Sequence, residues 1–189
     1  MKKTLIVNLY GAPGTGKSTL MAETFAALKW DKIDSEMVPE FAKELVWEKR
    51  HHTMTDQLYL LGKQHHRIFR VNGKVEVVIT DSPILLNTVY NRLYNTNDNP
   101  KQTIFNDALE KVVIAADGLY WTLNIFLNRT KDYNPNGRNQ TEEESNELSV
   151  IIRNLLIENN IKFKDLDADR DTAIEIAKLI EDELKNTEC

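Results

Sequence analysis

Apolar residues along the chain fall into short continuous runs, separated by longer segments in which they recur every three or four positions. The runs are rich in β-branched residues, as at 75–80, which is typical of strands that are covered on both faces of a parallel sheet. The longer segments have helical spacing. Strand and helix therefore alternate, which predicts a three-layer α/β domain built from right-handed crossovers.

The predicted strands are 4–10, 36–39, 75–80, 119–127 and 161–166. The predicted helices are 17–28, 41–49, 55–69, 85–94, 105–115, 142–158 and 172–184. Two polar stretches, 95–102 and 128–140, are predicted to be loops, where functional residues often lie. A length of 189 residues suits a single domain spanning 1–189.

Charge and cysteine content narrow the classes of partner. The chain has 24 Lys and Arg against 29 Asp and Glu, a net charge of −5, which disfavours nucleic acid and anionic membranes as partners. Its one cysteine permits no disulfide within the chain, and the apolar run near the N-terminus is too short for a signal peptide or membrane span. These features predict a cytoplasmic protein with a small-molecule ligand and leave a homo-oligomer open.

A phosphate-binding loop follows the first predicted strand. It matches G-x-x-x-x-G-K-[ST] and consists of Gly11, Ala12, Pro13, Gly14, Thr15, Gly16, Lys17, Ser18 and Thr19. In this motif the backbone N–H groups and the helix N-terminus bind phosphate, the lysine reaches the β and γ phosphates, and the serine hydroxyl binds Mg²⁺. The sequence therefore predicts binding of a nucleoside triphosphate with magnesium.

Two carboxylates follow other predicted strands. Asp81 comes at the end of 75–80, where it is placed to bind Mg²⁺ or accept from a substrate hydroxyl; the alternative is a cap of the next helix. Glu40 follows 36–39 and is a candidate general base, with Glu44 one helical turn later on the same face. The alternative for both glutamates is a favourable position at a helix N-terminus. Whether Glu40 or Asp81 is the base stays open.

Cations flank the second polar loop. Arg129 and Arg138 enclose a segment that contains an aromatic residue and precedes the helix 142–158. Arginines on such a lid neutralise charge on a transferring phosphoryl group and exclude water. We predict that both contact phosphate, the alternative being an ordinary solvated loop.

Histidines and aromatic residues give weaker indications. His51–His52 and His65–His66 are adjacent pairs whose rings diverge on a helix, so solvated or acceptor-pocket histidines are favoured over a metal site. The large aromatic residues mostly have core spacing, with stacking on a base considered for Tyr59 and Trp47.

Together these segments resemble the P-loop nucleoside and nucleotide kinases within the AAA-type ATPase-like P-loop families. The chain is most similar to the nicotinamide riboside kinase domain of bacterial NAD-biosynthesis regulators and its phage-borne relatives. The resemblance covers most of the chain and rests on 11–19, 40–44, 57–66, 80–83, 129–138 and 161–167.

The resemblance implies a five-stranded parallel sheet in the order 2-3-1-4-5, with a lid at about 129–140. It places Glu40 near a phosphate acceptor and Asp81 beside magnesium and that acceptor. The implied activity is transfer of the γ-phosphate of ATP to nicotinamide riboside, a nucleoside or a nucleoside monophosphate. An extended stretch at 132–137 departs from the family and leaves the acceptor open.

Two other functions remain at this point. One is a nucleotide-dependent switch or ATPase that acts on a protein partner, and the other is a phage kinase that acts on a modified base in DNA. The choice between ATP and GTP is also open. Our expectation is a Mg²⁺-dependent kinase with Lys17, Arg129 and Arg138 on phosphates, Ser18 and Asp81 at the metal, and Glu40 as base.

Overall fold

The computed structural model describes residues 3–95, 99–134 and 141–187. The strands are β1 (Leu5–Tyr10), β2 (Ser35–Val38), β3 (Val77–Thr80), β4 (Trp121–Asn128) and β5 (Lys164–Asp167). The helices are α1 (Lys17–Trp30), α2 (Ala42–Trp47), α3 (Gln57–Phe69), α4 (Leu86–Tyr94), α5 (Pro100–Asp117), α6 (Glu142–Glu158) and α7 (Thr172–Thr187). A 3₁₀ turn at His51–Thr55 precedes α3.

The five strands form one parallel sheet in the order β2-β3-β1-β4-β5. This confirms the predicted α/β fold and its strand order. The carboxyl ends of all five strands therefore lie along one edge of the sheet, with the phosphate loop, which follows β1, in the middle. Segments that follow β2 and β3 flank this loop on one side, and segments that follow β4 and β5 flank it on the other.

Alternate residues of each central strand pack on opposite faces, which gives the three layers. One face packs Ile6, Val78 and Phe126 under α3, α4, α5 and α6. The other packs Val7 and Ile79 under α1 and α7. Burial of both faces explains why β1 and β3 are nearly continuously apolar.

Helix α5 begins earlier than predicted, so the predicted loop 95–102 is wrong in its second half. The Asn99 side chain accepts from the Lys101 N–H, and Pro100 takes the first helical position. At the first position of a helix the backbone N–H has no partner within the helix, so proline loses no hydrogen bond there. Asn99 and Pro100 together therefore favour a helix start. In contrast, α6 has the predicted bounds, because Thr141 and Glu144 form a capping box.

Among the helices of the described segments, none is long and apolar enough to span a membrane.

Candidate nucleotide and acceptor site

The predicted site residues that the structure describes lie at the carboxyl edge of the sheet. Glu40 follows β2, Asp81 follows β3, the phosphate loop follows β1, and Arg129 follows β4. Since β3 lies between β2 and β1, Asp81 stands between Glu40 and the loop. Strand order thus brings together residues that lie far apart in the sequence.

Two glycines of the phosphate loop adopt backbone conformations with positive φ, which residues with a side chain rarely adopt. Gly11 has φ +143°, and a Cβ there would lie 2.9 Å from the Leu127 carbonyl oxygen of β4. Gly16 has φ +100° and is the residue before α1, so the chain turns into the helix through a left-handed conformation. The loop is therefore tight and directs the N-terminus of α1 towards its own concave side.

Side chains of the loop bind its own carbonyl oxygens. Lys17 Nζ donates to the carbonyls of Gly11 at 2.7 Å and Ala12 at 3.0 Å, and the Thr15 hydroxyl donates to Ala12 at 2.7 Å. These bonds hold the first half of the loop and keep the Lys17 ammonium group against it.

Asp81 joins the loop to the segment after β2. The Ser18 hydroxyl donates to Asp81 Oδ2 at 2.5 Å, and the Glu40 N–H donates to Oδ1 at 2.9 Å. Asp81 is 5% exposed. It is not a helix cap, because α4 begins only at Leu86, so that alternative is wrong.

This pair fits a magnesium ion. Mg²⁺ prefers oxygen ligands and typically takes one or two protein groups, with phosphate oxygens and water completing its shell. Ser18 and Asp81 supply one hydroxyl and one buried carboxylate beside the loop. No cluster of three or more His, Cys, Asp or Glu able to hold a metal occurs in the segments the structure describes.

Glu40 is half-buried at the edge of a pocket. Burial raises the pKa of its carboxyl above the ordinary glutamate value; Lys17 opposes this rise, Asp81 adds to it, and Lys43 opposes it. A raised pKa makes a carboxylate a better proton acceptor near neutral pH. Glu44 does not line this pocket; its carboxylate accepts from Arg67 at 2.6 Å on the surface of the protein.

An inner pocket of about 60 Å³ extends from Glu40 between α3 and α4. It is lined by Glu40, Phe41, Ala42, Met54, Gln57, Leu60, Gln64, Ser82, Leu86, Asn87, Tyr90 and Tyr94. Aromatic and amide side chains are its most distinctive members. Tyr90 and Tyr94 stack with ring centroids 6.2 Å apart.

Three buried amides in this wall were missed by the sequence analysis. Gln64 accepts from the Phe41 N–H at 3.0 Å and donates to the Thr80 hydroxyl at 3.3 Å, which fixes the turn that carries Glu40. The side-chain amides of Gln57 and Asn87 share a hydrogen bond of 3.2 Å, which joins α3 to α4. Gln57 and Gln64 are seven residues apart on the buried face of α3, and a polar pair at that spacing was the available signal.

A wider cleft of about 490 Å³ adjoins the inner pocket, since Met54, Tyr90 and Tyr94 line both. The cleft is lined by His51, Met54, Thr55, Tyr90, Leu93, Tyr94, Glu144, Glu147, Leu148 and Ile151. Neither cavity has a Lys or Arg among the described residues that line it.

Burial and nearby carboxylates raise the pKa of the two tyrosines that line both cavities. Burial raises the pKa of Tyr90, and the charge of Glu40 and the neighbouring Tyr94 add to the effect. The pKa of Tyr94 is raised by burial, then by Glu40 and Glu144. The carboxylates of Glu40 and Glu144 therefore make the electrostatic potential around Tyr90 and Tyr94 more negative.

The base of the predicted lid lies against α6. Arg129 Nη2 donates to Glu142 at 2.9 Å and to Asn146 at 2.7 Å, and its guanidinium stands 5.1 Å from the centroid of the Tyr133 ring. Its Nη1 is buried and has no hydrogen-bond partner in the described part of the chain. Arg129 is thus held by α6. Arg138 and the rest of 135–140 lie outside the described residues.

The segment after β5 lies on the other side of the loop. The Thr130 hydroxyl donates to the Ala168 carbonyl at 2.7 Å, which ties the lid base to this segment. Asp169 accepts from the N–H groups of Asp171 and Thr172 and from the Thr172 hydroxyl, which shapes the turn into α7.

Several weaker predictions have clear outcomes. His65 binds the Tyr120 hydroxyl at 2.9 Å outside the pocket, whereas His51 lines the wider cleft. Core placement is wrong for Trp30, Trp47 and Phe69, which are largely exposed. Neither Trp47 nor Tyr59 lines the two cavities.

Comparison with known proteins places the chain in a family. A mutant of the APS kinase CysC of Mycobacterium tuberculosis has 16% sequence identity and a TM-score of 0.49, over 96% of this chain and 99% of that one. Values this low carry no argument about activity. No curated protein gives a significant match. The AAA domain family (AAA_28) matches residues 6–173, which include the phosphate loop, Glu40, Asp81 and Arg129. This chain is a P-loop nucleotide-binding domain that belongs to the AAA domain family.

Proposed function

We propose that this protein is a Mg²⁺-dependent kinase that transfers the γ-phosphoryl group of ATP to a hydroxyl of a small nucleoside-like acceptor. The observation that carries this proposal is Glu40, a half-buried carboxylate with a raised pKa beside the pocket between α3 and α4. A switch or motor needs the loop and the metal, but it needs no second pocket with a base.

Each group at the carboxyl edge has a role in this reaction. Lys17 and the loop N–H groups bind the phosphates. Magnesium, held by Ser18 and Asp81, would neutralise charge on the phosphate oxygens. The acceptor hydroxyl loses its proton to Glu40 as its oxygen bonds to the γ-phosphorus, and ADP leaves.

Hydrogen bonding favours Glu40 over Asp81 as the base. Both carboxylate oxygens of Asp81 already accept, one from Ser18 and one from the Glu40 N–H. Its burial and its bond to the magnesium-binding serine suit a metal ligand. The Glu40 carboxylate instead lines the pocket in which an acceptor hydroxyl would lie.

The charge of the cavities favours an acceptor without phosphate. Phosphate groups are ordinarily bound by Arg, Lys or backbone N–H groups. The two cavities carry Glu40, Glu144 and Glu147 and no described Lys or Arg. Nicotinamide riboside and neutral nucleosides suit this surface, with the ring against Phe41 or Tyr90. Nucleoside monophosphates and DNA suit it less well.

The lid residues complete the proposal. Arg129 and Arg138 are proposed to contact the transferring phosphoryl group when both substrates are bound. The Nη1 of Arg129 has no hydrogen-bond partner among the described residues, and this supports the role of Arg129, because a buried N–H without a partner is costly and a phosphate oxygen would satisfy it.

An acceptor-dependence assay tests this function. ADP release is measured with ATP and Mg²⁺, alone and with nicotinamide riboside, nucleosides, nucleoside monophosphates, duplex DNA or DNA carrying a hydroxymethylated base. We expect release to depend on an unphosphorylated acceptor and to match its phosphorylation. Release that no acceptor changes would instead support a switch or ATPase.

A further inference from the structure

Helix α6 contacts the phosphate loop through one buried side chain. Ser145, which is 1% exposed, donates its hydroxyl to the Pro13 carbonyl oxygen at 2.8 Å. The two residues are 132 positions apart, so this bond links separate parts of the fold. Neither the phosphate-loop motif nor the lid prediction includes Ser145.

The bond fixes the orientation of one peptide group in the loop. The described chain has no cis peptide bonds, and in a trans peptide the C=O and the following N–H point in opposite directions. Holding the Pro13 oxygen against α6 therefore turns the Gly14 N–H away from α6. Gly14 has φ +87°, so the backbone on its other side is free of the usual side-chain restriction.

Ser145 completes a set of bonds to the first half of the loop. The carbonyls of Gly11 and Ala12 accept from Lys17 and Thr15, which belong to the loop itself. Among the bonds of the described residues, the one to the Pro13 carbonyl comes from outside the phosphate loop. With all three oxygens held, the loop presents N–H groups and not carbonyls to an anion.

We propose that Ser145 is a positioning residue for nucleotide phosphate, acting by aligning the Gly14 N–H through the Pro13 carbonyl. The neighbouring residue Asn146 and Glu142 bind Arg129. The first turn of α6 therefore holds both the phosphate loop and the base of the lid. This role concerns nucleotide binding and does not depend on which acceptor the protein uses.

The test uses Ser145→Ala in the full chain. Alanine preserves the helix and removes one hydrogen bond, so we expect ATP affinity to fall about fivefold, from the net value of such a bond. Affinity for adenosine, which has no phosphate, stays unchanged. If GTP binds more tightly than ATP, GTP and guanosine are used. Binding is measured by calorimetry or by NMR titration.

A matched control separates positioning from general destabilisation. The Thr4 hydroxyl donates to the Val75 carbonyl at 2.6 Å, another buried contact between distant segments, at the end of β1 away from the loop. Thr4→Val should lower the melting temperature and leave ATP affinity unchanged. If Ser145→Ala does not fold, Ser145→Cys keeps a similar volume with a weaker donor and replaces it.

Three results would overturn the proposal. The first is wild-type ATP affinity in a folded Ser145→Ala or Ser145→Cys protein. The second is an equal loss of affinity for ATP and adenosine. The third is an equal loss of ATP affinity in Thr4→Val. Because the readout is binding and not turnover, a failed acceptor screen leaves this result interpretable.

Discussion

The Ser18 hydroxyl donates to Asp81 Oδ2 at 2.5 Å across 63 residues of sequence. The bond joins the residue that the loop motif assigns to magnesium with the buried carboxylate at the end of β3. A serine that donates to a carboxylate keeps its oxygen lone pairs available for a cation. The two side chains thus form one unit at the phosphate loop.

Asp81→Asn should weaken Mg²⁺-dependent nucleotide binding by about 10- to 100-fold, the range typical when a group that orients a metal ligand is lost. Nucleotide affinity without magnesium should change little. Titration of ATP with and without Mg²⁺ measures both. An equal loss in the two conditions would mean that Asp81 acts only in loop structure.

The effects of substitutions at Ser18 and Asp81 on nucleotide affinity should not be additive. Ser18→Ala removes the donor of their hydrogen bond and Asp81→Asn removes the charge of its acceptor, so the double variant should lose less Mg²⁺-dependent affinity than the two separate losses combined. A full double-mutant cycle on nucleotide affinity measures the coupling. Strict additivity would show that the two residues act independently.

Glu40→Gln should lower the turnover number by about 10²- to 10⁴-fold while ATP affinity is preserved. In the wild-type protein, kcat/KM should rise with pH through the pKa of Glu40, because only the ionised carboxylate accepts a proton. Burial places this rise above the ordinary glutamate range. The variant should lack that limb of the profile. Unchanged turnover would remove Glu40 from its role.

The sequence predicts those features that depend on local pattern. The loop motif, the acids at strand ends and the bounds of α6 all depend on short-range signals, and each lies where it is predicted. The contacts of Ser145, Gln64 and Asn87 depend on how distant segments meet, and a buried polar side chain has no signature of its own. Trp30 and Trp47 are exposed although their apolar side chains predicted burial, because apolar residues also occur on protein surfaces.

The acidic cleft should discriminate against phosphorylated acceptors. Glu147→Lys exchanges a carboxylate of the cleft for a cation, so kcat/KM for a nucleoside monophosphate relative to its nucleoside should rise roughly fivefold, or about 1 kcal/mol for an exposed charge. Glu143→Lys makes the same change in net charge at an exposed position outside both cavities. An equal rise in both variants would indicate a general charge effect.

Asp117 is a partly buried acid at the end of α5, and burial raises its pKa to about 6. The folded state then holds a proton that the unfolded state has lost, so the free energy of unfolding falls as pH rises from about 4 to about 6. Asp117→Asn should raise that free energy by about 1 to 3 kcal/mol at pH 7.5 and much less at pH 4.

Urea unfolding at the two pH values measures this effect. Asp107→Asn, at an exposed position on the same helix, is the control and should change stability little at either pH. A gain from Asp117→Asn that is the same at both pH values would contradict an origin in proton binding.

The most direct measurement follows the γ-phosphate, which in the proposed reaction leaves ATP for an acceptor hydroxyl. Wild-type protein and Lys17→Ala are incubated with γ-labelled ATP, Mg²⁺ and the acceptor panel, and the labelled products are separated. We expect label on an unphosphorylated nucleoside-like acceptor with wild-type protein and none with Lys17→Ala. Label found only in free inorganic phosphate, with every acceptor tested, would contradict it.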